Sequence, residues 1–213
     1  MAIYFSSDLH IGHLNALTIM PHRPWTDVEA MSLGLIERHN SVVRPEDVII
    51  YVGDLIMGKK FENVPRFLPM LNGHKILVVG NHDFLPSEQK PAKIQQLEEL
   101  YTKHGIEQIH YGCVSLADIL TLPNVSYLLL TDIMICHFPP AETDDDRTIE
   151  YKQRYTELRP TIPADKFLLH GHTHSREHIT RSNMIHVGVD AEAWDYKPVD
   201  FATILTLFSK LQG

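Results

Sequence analysis

Five short clusters of oxygen and imidazole donors, each at the end of an apolar run, constrain this chain more than any other feature. They are Asp8-Leu9-His10, Gly53-Asp54, Gly80-Asn81-His82-Asp83, Cys136-His137 and Gly171-His172-Thr173-His174. The runs that lead into them are Ala2–Ser6, Val48–Val52, Ile76–Val79, Ile133–Cys136 and Phe167–His170, and each reads as a strand. In an α/β sheet, ligands collect beyond the carboxyl ends of the strands. Asp8, Asp54 and Asn81 are thereby placed on one rim, and His137, His172 and His174 reach it from the second half of the chain. Asp8-x-His10 alone is more often a surface loop, and Gly53-Asp54 alone is weaker still. It is the ordered set of five that predicts a metal centre.

The donors divide naturally between two divalent ions. Asp8, His10 and His174 would hold the first, and Asn81, His137 and His172 the second, with Asp54 bridging both. Two ions about 3.5–4 Å apart can hold a hydroxide of depressed pKa for in-line attack on the phosphorus of an ester. Mixed imidazole, carboxylate and amide donors suit Mn, Fe or Zn, with Ni and Co close behind, better than Ca or an all-oxygen Mg cage. His82 is read as a non-ligand that donates a hydrogen bond to the phosphate or protonates the leaving group. Asp83 would orient His82, or else serve as a turn residue. Glycines at 53, 80 and 171 would let the backbone turn sharply so that the donors converge.

The rest of the chain supplies the scaffold. Thr26-Asp27 caps a predicted helix running to about Val43, with further helices over Phe61–Leu71 and Ala92–His104. Strands alternating with helices through the first 80 residues indicate a largely parallel sheet. Gln108–Tyr111, Ser126–Leu130, Met184–Val187 and the apolar Ala202–Phe208 read as further strands, with a hairpin turn at Thr131-Asp132, so the second half is expected to be more antiparallel. Two sheets packed face to face and flanked by helices accommodate this order.

A chain of 213 residues is expected to form one domain, 1–213, with a loop insertion at about 138–165. That insertion holds Pro139, Pro140, Pro160 and Pro163 and the run Asp144-Asp145-Asp146-Arg147. It reads either as a lid over the site or as a solvated segment with a short helix around Ile149–Leu158. A net charge of −8 without a basic tail argues against general binding of double-stranded DNA, although a nucleotide held through cations stays compatible. Cys113 and Cys136 read as buried free thiols. There is no basic and apolar leader and no apolar run of the ~20 residues a membrane span needs, so the cytoplasm is the expected location and no membrane partner is expected.

Together the five clusters resemble the metal-binding blocks of the calcineurin-like metallophosphoesterases, over residues 5–175. The resemblance implies an α/β fold built as a four-layer α-β-β-α sandwich, with two mixed sheets, flanking helices and a dinuclear metal centre at the strand ends. A narrower resemblance, to small phage and bacterial members, rests on Asp8 to Asn15, Arg23-Pro24, Val187-Gly188-Val189-Asp190 and Tyr196-Lys197-Pro198-Val199. There His13 and Arg23 would contact a substrate phosphate; the alternatives are a loop histidine packed near the site and an exposed loop arginine. The chain departs from the family's protein serine/threonine phosphatases, because Gly53-Asp54 runs into Leu55-Ile56-Met57 and Asn81-His82 is followed by Asp83. It also lacks the length of the repair nucleases.

The leading expectation is a hydrolase of a phosphodiester or phosphomonoester, a nucleotide-type small molecule, that uses two divalent ions with Mn foremost. One alternative is a nuclease for short single strands, which would need a basic groove of Lys59, Lys60 and Arg66 rather than a solvated helix start. The other is a non-catalytic scaffold, in which gaps in the ligand set would be expected.

Overall fold

The central strand β2 (Val48–Val52) is buried along its whole length, and its alternating side chains serve two different cores. Ile49 and Tyr51 face a cluster with Met31, Leu35, Val64, Phe67, Leu97 and Tyr101. Val48, Ile50 and Val52 face a cluster with Ile133, Ile135, Leu169 and Ile185. Successive strand side chains point to opposite faces, so a strand apolar on both must be covered on both. Here one cover is a layer of helices and the other is a second sheet. The computed structural model describes residues 1–120, 132–141 and 155–212.

The first sheet runs β10-β1-β2-β3-β4, with β1 at Ile3–Ser6, β3 at His74–Val78, β4 at Ile106–His110 and β10 at Val199–Asp200. β1 to β4 are mutually parallel, and β10 adds antiparallel to β1. The crossovers carry α1 (Ala16–Ile19), α2 (Val28–Asn40), α3 (Lys60–Phe67) and α4 (Pro91–Lys103). Asp27 caps α2 by accepting a hydrogen bond from the Ala30 amide at 2.8 Å, as its sequence position predicts.

The second sheet runs β5-β6-β7-β9-β8, from Val114–Ser115, Ile133–Cys136, Phe167–His170, Met184–His186 and Ile179–Arg181. A short helix, α5 (Leu116–Ile119), follows β5. The expectation of a more antiparallel second half holds only at its edges. β6, β7 and β9 are parallel, and β5 and β8 pair antiparallel on either side. The parallel centre brings the carboxyl ends of β6 and β7 together, and these are the ends that carry donors.

Ala202–Phe208 is not a strand. It belongs to a helix, α6 (Phe201–Gln212), whose buried Phe201, Ile204 and Phe208 recur at helical spacing. Asp200 accepts from the Thr203 amide at 2.9 Å and from its hydroxyl at 2.7 Å, which starts the helix. Phe208 packs on Phe167 with ring centroids 4.0 Å apart, and Phe201 packs on Phe5, so α6 closes the inter-sheet core. The predicted strand Ser126–Leu130, the turn residue Thr131 and residues 142–154 of the 138–165 insertion lie outside the described residues, and with them most of the lid and of the helix expected around Ile149–Leu158; at the end of that stretch Thr156–Leu158 form a single 3-10 turn. On either side of residues 142–154, Phe138 and Tyr155 are buried and their rings pack 5.1 Å apart. Among the described residues no helix is long and apolar enough to cross a membrane.

Candidate metal centre

The parallel strands β1, β2, β3, β6 and β7 all end on one rim, and every predicted ligand lies in the loops just beyond them. These loops are stitched together by backbone hydrogen bonds: Asp8 N–H to Gly53 O at 3.1 Å, His10 N–H to Asp54 O at 3.0 Å, and Gly171 N–H to His137 O at 3.1 Å. Five of the seven predicted ligands have left-handed backbones: Asp8 (φ 57°), His10 (φ 53°), Asp54 (φ 54°), His172 (φ 71°) and His174 (φ 50°). Non-glycine residues seldom adopt this conformation, which costs on the order of 1–3 kcal/mol each and persists where the surroundings over-determine it.

The side chains converge in two half-sites. In the first, His10 Nε2 and His174 Nε2 each lie 3.8 Å from Asp8 Oδ1. In the second, the Asn81 carboxamide oxygen lies 3.0 Å from His137 Nε2 and 2.9 Å from His172 Nδ1. Asp54 Oδ2 stands between them, 3.7 Å from His10 Nε2 and 3.5 Å from His137 Nε2. Ligand atoms of Asp8, His10 and His174 all lie within 4.8 Å of one another, and so do those of Asp8, Asp54 and His137. Asp8 is therefore placed to touch both half-sites, a position the sequence assigned to Asp54 alone.

These residues fit divalent cations. Asp8 Oδ1 and both ring nitrogens of His10 are buried without a hydrogen-bond partner. Buried polar atoms without partners cost ~1–3 kcal/mol each, and clustered donors aimed at one another are what a cation offsets. Burial lowers the His10 imidazole to about 4 against the pull of Asp8 and Asp54, so it is neutral and able to donate a lone pair. Burial works against charge on His137 as well, but Asp54 and Asp8 outweigh it and raise that ring to about 9. The Asp8 and Asp54 carboxyls stay ionised although burial opposes it, because the surrounding imidazoles hold them well below the ordinary carboxylate value.

The glycines matter mainly for the space they leave. Gly53 does turn through φ 88°, and a Cβ there would also lie 2.3 Å from His137 Nδ1. Gly171 needs no left-handed backbone; a Cβ there would lie 1.9 Å from Ser7 Oγ and 2.5 Å from Asp8 Oδ2. The sharp turn expected at this position is replaced by close approach of two ligand loops.

Two predicted functional residues sit elsewhere than expected. Asp83 does not reach His82 by any described hydrogen bond. Its buried carboxylate accepts from the amides of Asp54 at 2.8 Å, Gly80 at 2.9 Å and Leu55 at 3.1 Å, so it ties the second ligand loop to the third. Arg23 is neither an exposed loop residue nor a clamp for substrate. Its guanidinium is fully buried and bonded to Asp190 and to the carbonyl oxygens of Asp8 and Leu9. Asp190 and Ser7, whose hydroxyl donates to Asp8 Oδ2 at 2.6 Å, were not recognised as site residues from sequence. Asp190 belongs to the Val187-Gly188-Val189-Asp190 segment, in which nothing local indicates a partner 167 positions away.

A cavity of about 390 Å³ opens above the donors, lined by His10, Asp54, Asn81, His172 and His174 at its floor. His13, His22, His82, Ile19 and Met20 form its walls, with His82 exposed. His13 lines this cavity, a placement that suits a phosphate contact and a loop histidine packed near the site alike. The supposed basic groove is not formed. Lys60 buries its ammonium against the Ile56 carbonyl, Lys59 pairs with Glu62 at 3.4 Å, and Arg66 pairs with Glu29.

The family model for calcineurin-like phosphoesterases matches residues 1–176, which contain all seven donors. The chain belongs to the calcineurin-like phosphoesterase family. Membership carries metal-dependent hydrolysis of phosphate esters, and the clustered donors are candidate metal-ligand groups. Among similar chains, the gene 66 protein of Mycobacterium phage D29 is 34% identical over 93% of this chain and 92% of its own length. The gene 66 protein of Mycobacterium phage L5 is 30% identical over 88% and 86%. An uncharacterized protein of Methanocaldococcus jannaschii is 27% identical over 98% and 92%. A crystal structure of an Aquifex aeolicus protein of unknown function shares the fold at a TM-score of 0.62, with 22% identity, covering 97% of this chain and 98% of that one.

Proposed function

We propose that this calcineurin-like phosphoesterase is a two-ion phosphodiesterase or phosphomonoesterase for a small nucleotide-type ester, built on residues 1–213 as one domain. The observation that carries the reading is the meeting of two donor triads at Asp54, on the floor of a single cavity. Asp8, His10 and His174 would hold one divalent ion and Asn81, His137 and His172 the other, with Asp54 shared. Bound there, Mn or a related cation would lower the pKa of water and offset negative charge on the phosphoryl oxygens.

The protein's own groups do the rest. Val52 O accepts from His137 Nδ1 at 2.8 Å, which fixes that ring with Nε2 toward the donors. The Asp54 carboxylate is oriented from behind by the amide of His82 at 2.8 Å. The His82 side chain lines the cavity, its ring centroid 5.5 Å from that of His10. From there His82 donates to a phosphoryl oxygen or hands a proton to the leaving oxygen. His13 stands beside it as a second contact for the phosphate. Ile19 and Met20 give one wall an apolar surface suited to the flat face of a base. A volume of about 390 Å³ is at the small end for ligand cavities, which favours a mononucleotide-sized ester over a longer strand. The pairing of Lys59 and Arg66 with acids and the burial of Lys60 weigh against the nuclease reading in the same way.

A panel of mono-, di- and cyclic nucleotides offered to the Mn-loaded protein tests this. Turnover confined to small nucleotide esters supports the proposal, and cleavage of oligonucleotides in preference to all of them would replace it with a nuclease.

A further inference from the structure

We propose that Asp190, clamped by Arg23, is the positioning residue of the first half-site. It sets the tautomer and direction of His174 and, through Arg23, pins the Asp8–His10 loop. The inference rests on the two-ion reading above and assigns a role to two residues outside the donor set.

The geometry is that of a buried bolt. Arg23 Nε donates to Asp190 Oδ1 at 2.9 Å and Nη2 donates to Oδ2 at 2.8 Å, a forked pair with both side chains fully buried. The same guanidinium reaches the Leu9 carbonyl through Nη1 at 2.9 Å and the Asp8 carbonyl through Nη2 at 2.7 Å. Asp190 then has one remaining direction on each oxygen. His174 Nδ1 lies 2.7 Å from Oδ2, and His22 Nε2 lies 2.7 Å from Oδ1.

Two consequences follow from the chemistry. An ionised carboxylate only accepts hydrogen bonds, so Nδ1 of His174 carries the hydrogen, and in the neutral tautomer this selects, Nε2 is the nitrogen that keeps its lone pair. Nε2 is the nitrogen that faces Asp8 Oδ1 at 3.8 Å. The first half-site is also where Asp8, His10 and His174 all hold left-handed backbones. Such conformations need external restraint. Arg23 supplies it at Asp8 and Leu9, and Asp190 supplies it at His174. None of the described bonds of Arg23 or Asp190 reaches Asn81, His137 or His172, and the link to the second half-site runs through Asp8, so removal of the bolt is expected to act mainly on the first.

The test is a Mn titration followed by calorimetry and elemental analysis of the full chain. Wild type should bind two ions. Asp190→Asn should weaken one of them by roughly 10–100-fold, the usual cost of losing an outer partner of a metal ligand, and weaken the other much less. Because Asp190→Asn strands a buried guanidinium, the double variant Asp190→Asn with Arg23→Gln is made beside it, since it buries no lone charge. Combining Asp190→Asn with His174→Ala should add less than Asp190→Asn costs on its own, the remainder being the share carried through Arg23 to the Asp8–His10 loop. Combining it with His172→Ala should impair both ions. A role in folding alone would lower the melting temperature without this pattern. Nitrogen-15 histidine spectra of the wild-type chain add a readout that needs no variant: His174 should carry hydrogen on Nδ1. Variants that bind two ions as tightly as wild type, or a His174 protonated only on Nε2, would overturn the inference while leaving the two-ion reading intact. A wild-type chain that binds fewer than two ions would overturn both.

Discussion

The two half-sites of the proposed centre are built from similar donors but held in different ways. The first is assembled from the far ends of the chain, positions 8 and 10 with 174, and its donors face one another without hydrogen bonds between them. Its restraint comes from outside, through Arg23 and Asp190. The second is linked from within: the Asn81 oxygen lies within hydrogen-bond distance of both His137 and His172, and the Val52 carbonyl, one strand away, orients His137. A half-site with internal links needs less scaffolding around it. One whose ligands leave polar atoms buried and unpartnered depends on what lies behind them. Asp54 belongs to both, and its loop is in turn held by Asp83.

The largest effect should come from breaking the shared residue. Asp54→Asn should strip both ions and reduce hydrolysis by ~10³-fold or more, read by elemental analysis beside a rate assay. Retention of one ion at wild-type affinity would show that the half-sites are not joined through Asp54. Next in size is His82→Ala, which lies outside both triads. Metal content should stay at the wild-type value while kcat falls roughly 10²-fold. Loss of metal would move His82 into the ligand set and undo the division described here.

Much of this was legible in the sequence because strands that end in donors leave a local signature. The five clusters could be read in order, and the elements that deliver them fall within a few residues of their expected places. What could not be read depends on contacts far apart in the chain. Arg23 looks like an exposed loop arginine until Asp190 is known to lie beside it. Asp83 looks like a partner for His82 because the two are adjacent, yet its carboxylate turns back toward amides 28 and 29 positions away. Ala202–Phe208 misled for a different reason. A short apolar run fits a strand or a buried helix equally, and the deciding signal was the cap formed by Asp200 and Thr203 rather than the apolar residues themselves.

Smaller effects sharpen the contrast further. Gly53→Ala places a methyl group at φ 88° and against the His137 ring. It should cost ~3 kcal/mol of stability by chemical denaturation and weaken the second half-site more than the first. Equal weakening of both ions would mean that the strand end, and not His137, transmits the strain.

The smallest effect lies outside both half-sites and serves as a control. Burial lowers His39 to about 4, and its ring donates from Nε2 to the Asn72 carbonyl oxygen at 3.0 Å. The unfolded chain binds a proton there near pH 6.5 and the folded chain does not, so stability is complete above that value and is lost as pH falls toward 4. His39→Gln should therefore recover on the order of 2 kcal/mol of the acid-induced loss at pH 5 without altering metal affinity at pH 8. An unchanged slope of stability with pH would assign the acid loss to other buried histidines.

The most direct test of the account is anomalous diffraction from crystals grown with Mn. Two peaks are expected, one among Asp8, His10 and His174 and the other among Asn81, His137 and His172, with Asp54 touching both. A single peak, or a pair that leaves Asp54 uncoordinated, would contradict it.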